Sequence, residues 1–245
     1  MRCGRVLMLA ALVAGISGPA DAQSDTRPVA VIELFTSQGC SSCPPADKLL
    51  GELSRNTSLI TLSLPVDYWD HLGWKDSLAS PRHTARQWGY SRSQGTSGVY
   101  TPQVVVNGKV GVVGSDRKGI EAAIAKTRDS AMTIPVQLAL KDDTITVSVA
   151  DDKNGAAPAD IWLCGVMRAA EVEIRRGENR GRNITYVNVG RHWEKVGTWS
   201  GKTATWSVPV NTIAVPGVDS VIVLLQRGSD EKPGLIVGAA SAAIH

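Results

Sequence analysis

Cys40-Ser41-Ser42-Cys43 places two thiols two residues apart, close enough to join in a disulfide or to resolve one another's mixed disulfides. The thiolate is the nucleophile in such exchange, so anything that lowers the thiol pKa raises the reactive fraction. A helix reads directly after the motif, from Pro44 to Leu53, with Ala46, Leu49, Leu50 and Leu53 on one face. A thiol at a helix N-terminus meets unpaired N–H groups and the positive end of the dipole. The expected roles are therefore Cys40 as the exposed attacking thiol and Cys43 as the resolving one.

Other chemistries use the same spacing. A structural zinc site takes four protein ligands. Beyond the pair and Cys3 the chain offers Cys164, and His71, His83, His192 and His245 have no paired spacing. No zinc site is expected on that ligand count, and no metal ligand is assigned in the leading reading. Copper(I) between the two soft thiolates, for binding or delivery, stays open as a reading, although Gly39 stands where copper-carrying motifs often have methionine. A structural disulfide would close a very short loop and constrain little chain entropy. A secreted interaction module with a non-catalytic pair is the third alternative.

The elements that would position the pair alternate up to about Arg128. Val29 to Thr36 reads as a strand, Leu59 to Val66 as a second and Gln103 to Val106 as a third. A helix is expected around Thr84 to Trp88. Asn107-Gly108 is a hairpin turn signal that returns the chain along Val110 to Val113. Ser115 is placed to cap a final helix that turns Ile120, Ala123 and Ile124 inward. The order is β-α-β-α-β-β-α.

After Thr133 the pattern becomes strands: Val136 to Leu140, Thr144 to Val149, Ile161 to Met167, Ile184 to Val189, Thr203 to Val210 and Val221 to Leu225. The expectation is an α/β domain over 28–130 followed by a mainly-β, sandwich-like accessory domain over 131–245. Arg168 to Lys195 carries seven Lys or Arg and four Glu, read as a solvated charged face. Cys164 shares a strand face with Trp162 and Val166 and is expected as a buried thiol.

Residues 1–22 read as a signal peptide: Arg2 and Arg5, an apolar run from Val6 to Ile16, then Ala20-Asp21-Ala22. That run falls short of the roughly 20 residues of a spanning helix. Export to a bacterial periplasm or beyond is the expectation, with no membrane span after cleavage near Ala22. The chain has 245 residues, 43% hydrophobic and 20% charged, with a net charge of +3. Such a balance excludes the concentrated basic face of a nucleic-acid binder. Its four cysteines exclude a disulfide-stapled scaffold.

The first half resembles the thioredoxin superfamily, and locally the glutaredoxins. Phe35-Thr36-Ser37-Gln38-Gly39-Cys40-Ser41-Ser42-Cys43, then Ala46, Leu49 and Leu50, is similar to their active-site strand, loop and helix. Thr101-Pro102-Gln103-Val104-Val105-Val106-Asn107-Gly108 resembles their cis-proline segment. Gly114-Ser115-Asp116 resembles the turn that holds the glutamyl end of glutathione. The whole chain also resembles the secreted bacterial family called domain of unknown function 1223. That likeness rests on Glu33 to Cys40, Val66-Asp67-Tyr68-Trp69-Asp70 and Gly73-Trp74-Lys75-Asp76.

The resemblance implies thiol–disulfide exchange by Cys40 and Cys43. No cofactor is implied beyond the redox-active disulfide, and protein dithiols or disulfides, or glutathione as co-substrate, would be the partners. It implies that Thr101 and a cis Pro102 bind the substrate strand, and that Ser115 and Asp116 bind glutathione. Two departures stand out. The superfamily's buried acid falls on Leu34, with Glu33 on the opposite strand face. About 58 residues separate Cys43 from Pro102, with the excess placed in Asp67 to Trp74. That segment reads as a lid over Cys40, with Trp69 and Trp74 as apolar contacts and Asp67 or His71 as proton carrier.

Overall fold

The computed structural model describes residues 27–153 and 157–244, so the signal-peptide reading of 1–22 lies outside the described residues. Strand β1 (Ala30–Thr36) is buried along its whole length, because its AVIELFT sequence has layers on both faces. Ala30, Ile32 and Leu34 pack with Leu49 and Leu50 of α1 (Pro44–Leu53) and with Ile120 and Ala123 of α3 (Arg117–Thr127). Val31 and Phe35 point the other way, into a core with Tyr90 of α2 (Pro81–Gln94).

β1 pairs in parallel with β2 (Leu59–Pro65) and antiparallel with β3 (Gln103–Val106), which turns at Asn107 and Gly108 into β4 (Val110–Val113). Both turn residues have positive φ, 51° and 68°, as the expected hairpin requires. Asn107 is fully buried. Its Oδ1 accepts the Val31 N–H at 2.7 Å and its Nδ2 donates to Thr127 Oγ1 at 2.8 Å.

The second half adds β5 (Val136–Lys141), β6 (Thr144–Val149), β7 (Ala159–Glu173), β8 (Asn183–Trp199), β9 (Ala204–Pro209), β10 (Ser220–Gly228) and β11 (Pro233–Ala243). Two sheets pack face to face here, but their strands are not divided as a sandwich-like second half would have them. Only β5, β6 and β9 form a separate sheet, whereas the others extend the first one in the order β11-β10-β7-β8-β2-β1-β3-β4. The join is parallel pairing of β2 with β8 at Ser63 and Val189, which covers what would be a bare sheet edge. Ile161, Leu163, Val221, Val223 and Leu225 then pack against Leu138, Ile145 and Val147 of the small sheet.

Three local expectations shift. α2 runs Pro81–Gln94, well beyond Thr84 to Trp88, and begins with Ser80 Oγ accepting the Arg82 N–H at 3.2 Å. The α3 cap is Asp116 instead of Ser115: its carboxylate accepts the Gly119 N–H at 3.0 Å. β11 has no counterpart among the expected strands.

Candidate functional site

Cys40 and Cys43 form a disulfide at the start of α1, with their Cα atoms 5.4 Å apart. Cys43 is the N-cap residue, and its carbonyl accepts both Ala46 N (2.8 Å) and Asp47 N (3.1 Å). The loop before it is tightly wound: Ser37 Oγ accepts Gly39 N at 3.1 Å, and Cys40 N donates to Ser37 O at 3.1 Å. Contrary to the exposed thiol expected at Cys40, both cysteines are buried, 2% and 0% exposed. The N–H supply at the helix start is also poorer than expected, because the first two helical residues, Pro44 and Pro45, have none.

Asp47 is the feature the sequence reading passed over. It lies one turn beyond Cys43 on the same helix face, 4% exposed, and among the described residues no hydrogen bond of ordinary geometry reaches either carboxylate oxygen, the Thr36 hydroxyl lying near enough only for a weak interaction. Burial pushes its pKa up to about 7, with the Thr36 hydroxyl opposing and Asp76 adding to the rise. Asp76 is buried as well and is raised to about 6, although its carboxylate accepts Gln38 N and Leu78 N, each at 2.8 Å. The Tyr186 hydroxyl is buried without a partner, and its pKa is raised by burial and by these two carboxyls. An acid inside the apolar stripe that includes Ala46 and Leu50 was the available signal.

Glu33 serves elsewhere. On the opposite face of β1 it accepts Arg86 Nε at 2.6 Å and the Tyr90 hydroxyl. Burial works against the Arg86 charge, but Glu33 beside it holds the guanidinium firmly protonated.

Two tryptophans of the Asp67 to Trp74 segment lie against the cysteine loop and the cis-proline segment. The Trp69 Cβ would lie 3.2 Å from a Cβ on Gly39, and Trp69 Nε1 donates to Thr101 Oγ1 at 2.8 Å. Trp74 Nε1 donates to Gln38 Oε1 at 2.8 Å. Asp67 and His71 have other partners: Asp67 accepts the Thr84 hydroxyl at 2.5 Å, and exposed His71 bonds through Nδ1 to Tyr68 O at 2.8 Å.

The Thr101–Pro102 peptide bond is cis. Pro102 and Ala46 converge on Gly114, where an added Cβ would meet theirs at 2.9 and 3.2 Å, so β3 begins beside the first turn of α1. Ser115 and Asp116 are exposed, and the Asp116 carboxylate is engaged as the α3 cap. A depression of about 570 Å³ beside that turn is lined by Pro44, Lys48, Arg182, Asn183, Ile184 and Thr185. Cys164 is a free, fully buried thiol whose pKa burial pushes up. Among the described residues, no group of three His, Cys, Asp or Glu is placed to hold a metal ion. No helix among them is long and apolar enough to cross a membrane.

A family model described as protein of unknown function (DUF1223) matches residues 31–226. A crystallised protein of Agrobacterium tumefaciens is 34% identical, with a TM-score of 0.79 over 88% of this chain and 94% of its own. HBP35 of Porphyromonas gingivalis is similar in fold, with a TM-score of 0.62 at 13% identity over 90% of this chain and 76% of its own. No curated protein matches.

Proposed function

The chain belongs to the DUF1223 family, and from the geometry of its cysteine pair we propose that it is an extracytoplasmic thiol–disulfide oxidoreductase with a thioredoxin-like first half. The carrying observation is the Cys40–Cys43 disulfide at the start of α1, with the unpartnered carboxyl of Asp47 one turn further along. The order β1-α1-β2-α2-β3-β4-α3 supports the fold reading. The apolar segment at 6–16 supports export.

In the reducing direction, the Cys40 thiolate attacks one sulfur of a substrate disulfide. A Cys40–substrate bond forms, and the other substrate sulfur leaves as a thiolate. Cys43 then gives its proton to Asp47, and its sulfur attacks Cys40 Sγ. The Cys40–Cys43 bond forms and the second substrate thiolate departs. The pair has lost two electrons, and the substrate, after taking up protons, is a dithiol. The same steps reversed donate a disulfide, so direction follows the reduction potential. A carboxyl that titrates near 7 can accept and return a proton at working pH. Thr101 and Pro102 hold the extended substrate beside the pair, and Trp69 bridges Thr101 to the cysteine loop.

The test is equilibration of the mature protein against glutathione buffers. The expected potential lies between about −120 and −270 mV, the span of known exchange proteins. Cys43→Ser should accumulate mixed disulfide, and Cys40→Ser should not. A pair that neither equilibrates with glutathione nor, once reduced, alkylates at Cys40 would overturn the proposal. Unchanged glutathione turnover in Asp116→Ala would remove Asp116 from glutathione binding, even though that variant also loses about 1 kcal/mol of helix capping.

A further inference from the structure

The connection between β7 and β8, in the second half of the chain, reaches the cysteine loop. β7 and β8 form a long antiparallel hairpin whose connection, 174–182, folds back on itself: Ile174 N donates to Arg182 O at 2.9 Å and Gly181 N to Ile174 O at 2.7 Å. At the tip, Asn179 is 1% exposed. Its amide nitrogen donates to Gln38 O at 2.9 Å and to Cys40 O at 2.8 Å, bracketing Gly39. Its neighbour Glu178 is exposed, and its Oε2 accepts the Ser41 N–H at 3.2 Å.

Backbone donors around Cys40 are scarce. Pro44 and Pro45 contribute none, Ala46 N and Asp47 N are bonded to Cys43 O, and Cys43 N is bonded to Cys40 O. A thiolate at Cys40 depends on the donors of Ser41 and Ser42, and Glu178 occupies the first of them with a negative charge. Cys40 is 2% exposed with this loop and Trp69 both against the cysteine loop, so a macromolecular disulfide reaches its sulfur only after this cover moves.

We infer that loop 174–182 is a latch on the cysteine pair, in which Asn179 is a positioning residue that holds the Cys40 backbone and Glu178 sets the acidity of the Cys40 thiol. The inference rests on the exchange reading above and adds the control of its first step. Seated, the latch opposes the thiolate by like-charge repulsion and by withholding an N–H. Reduction of the pair therefore favours release of the latch, and release exposes the nucleophile.

Two variants of the full mature chain test this, with dithiothreitol as reductant and iodoacetamide as probe. Glu178→Gln keeps the shape of an exposed side chain and removes its charge. Its alkylation midpoint at Cys40 should fall by about 0.2–0.7 pH units, the equivalent of a surface charge at a helix N-terminus. Asn179→Ala should speed reduction of the disulfide by about fivefold or more, as expected for the loss of its hydrogen bonds to the loop. Amides of 174–182 should also exchange faster in reduced than in oxidised wild type. Wild-type reduction rates within twofold in both variants, with an unmoved midpoint in Glu178→Gln, would overturn the latch. Both readouts use small reagents, so they stand whether or not the wild type equilibrates with glutathione.

Discussion

Two buried acids lie next to β1 on opposite faces, and their partners separate their roles. Glu33 is neutralised by Arg86 at 2.6 Å, whereas Asp47 has no ion pair among the described residues. Because folding raises the Asp47 pKa from 3.8 to about 7, the folded state favours its protonated form. Its cost to stability is absent below about pH 4, grows as pH rises, and is complete above about 7. His83 acts oppositely: burial lowers its pKa to about 4, so its cost is present at low pH and gone above 6.5. Asp47→Asn should therefore raise the thermal midpoint at pH 7.5 by several degrees, for a gain of roughly 1–3 kcal/mol, and by little at pH 4. It should also slow resolution of the mixed disulfide by about 100-fold, as seen by stopped-flow quenching. Arg86→Met provides the contrast. Leaving the Glu33 charge unpaired should cost about 3–5 kcal/mol in denaturant titration, yet leave resolution kinetics unchanged.

At the scale of elements, the first turn of α1 acts on the acidity of Cys40 alongside Glu178. Pro44→Ala restores one N–H at the first turn and should lower the alkylation midpoint by a few tenths of a pH unit. It should also cost about 0.4–1 kcal/mol, because the unfolded chain gains freedom. The bounds of α1 were legible, since Leu49, Leu50 and Leu53 recur at helical spacing and prolines start the run. α2 was half hidden because its buried face includes His83, Arg86, Gln87 and Tyr90, polar groups whose inward partners come from distant segments: Pro65 for His83, Glu33 and Gln226 for Arg86, Tyr100 and Gln103 for Gln87, and Glu33 for Tyr90. β11 was hidden by its glycines. Gly238 looks like a break, but a Cβ there would meet Ile134 O at 2.6 Å, so the glycine permits the strand's close approach. Asn179 carries no local signal, because its partner Cys40 lies 139 residues away.

At the scale of the whole molecule, one core crosses the point where the pattern changes from helices to strands. Phe35, Leu62, Leu64 and Tyr90 from the first half pack in the same cluster as Trp162, Cys164, Ile222 and Leu224 from the second. Pairing of β2 with β8 makes the sheet continuous through that cluster. We therefore expect one cooperative unfolding transition, with amide exchange in β1 and β10 reporting equal opening free energies. Clearly separate values for the two strands would mean that the halves unfold independently. The change of pattern near residue 130 was readable. The sheet that the later strands would join was not, because alternation shows that a strand has a buried face without naming its neighbour.

Cys164 gives the molecule a clock of its own. Its sulfur is sealed between β7 and its neighbours, where a Cβ on Gly190 would meet it at 3.3 Å. In the reduced mature protein, Cys164 therefore takes up a label only when the shared core opens, whereas the pair is reached when its cover moves. The speed at which that last label arrives measures how often the molecule opens at its centre.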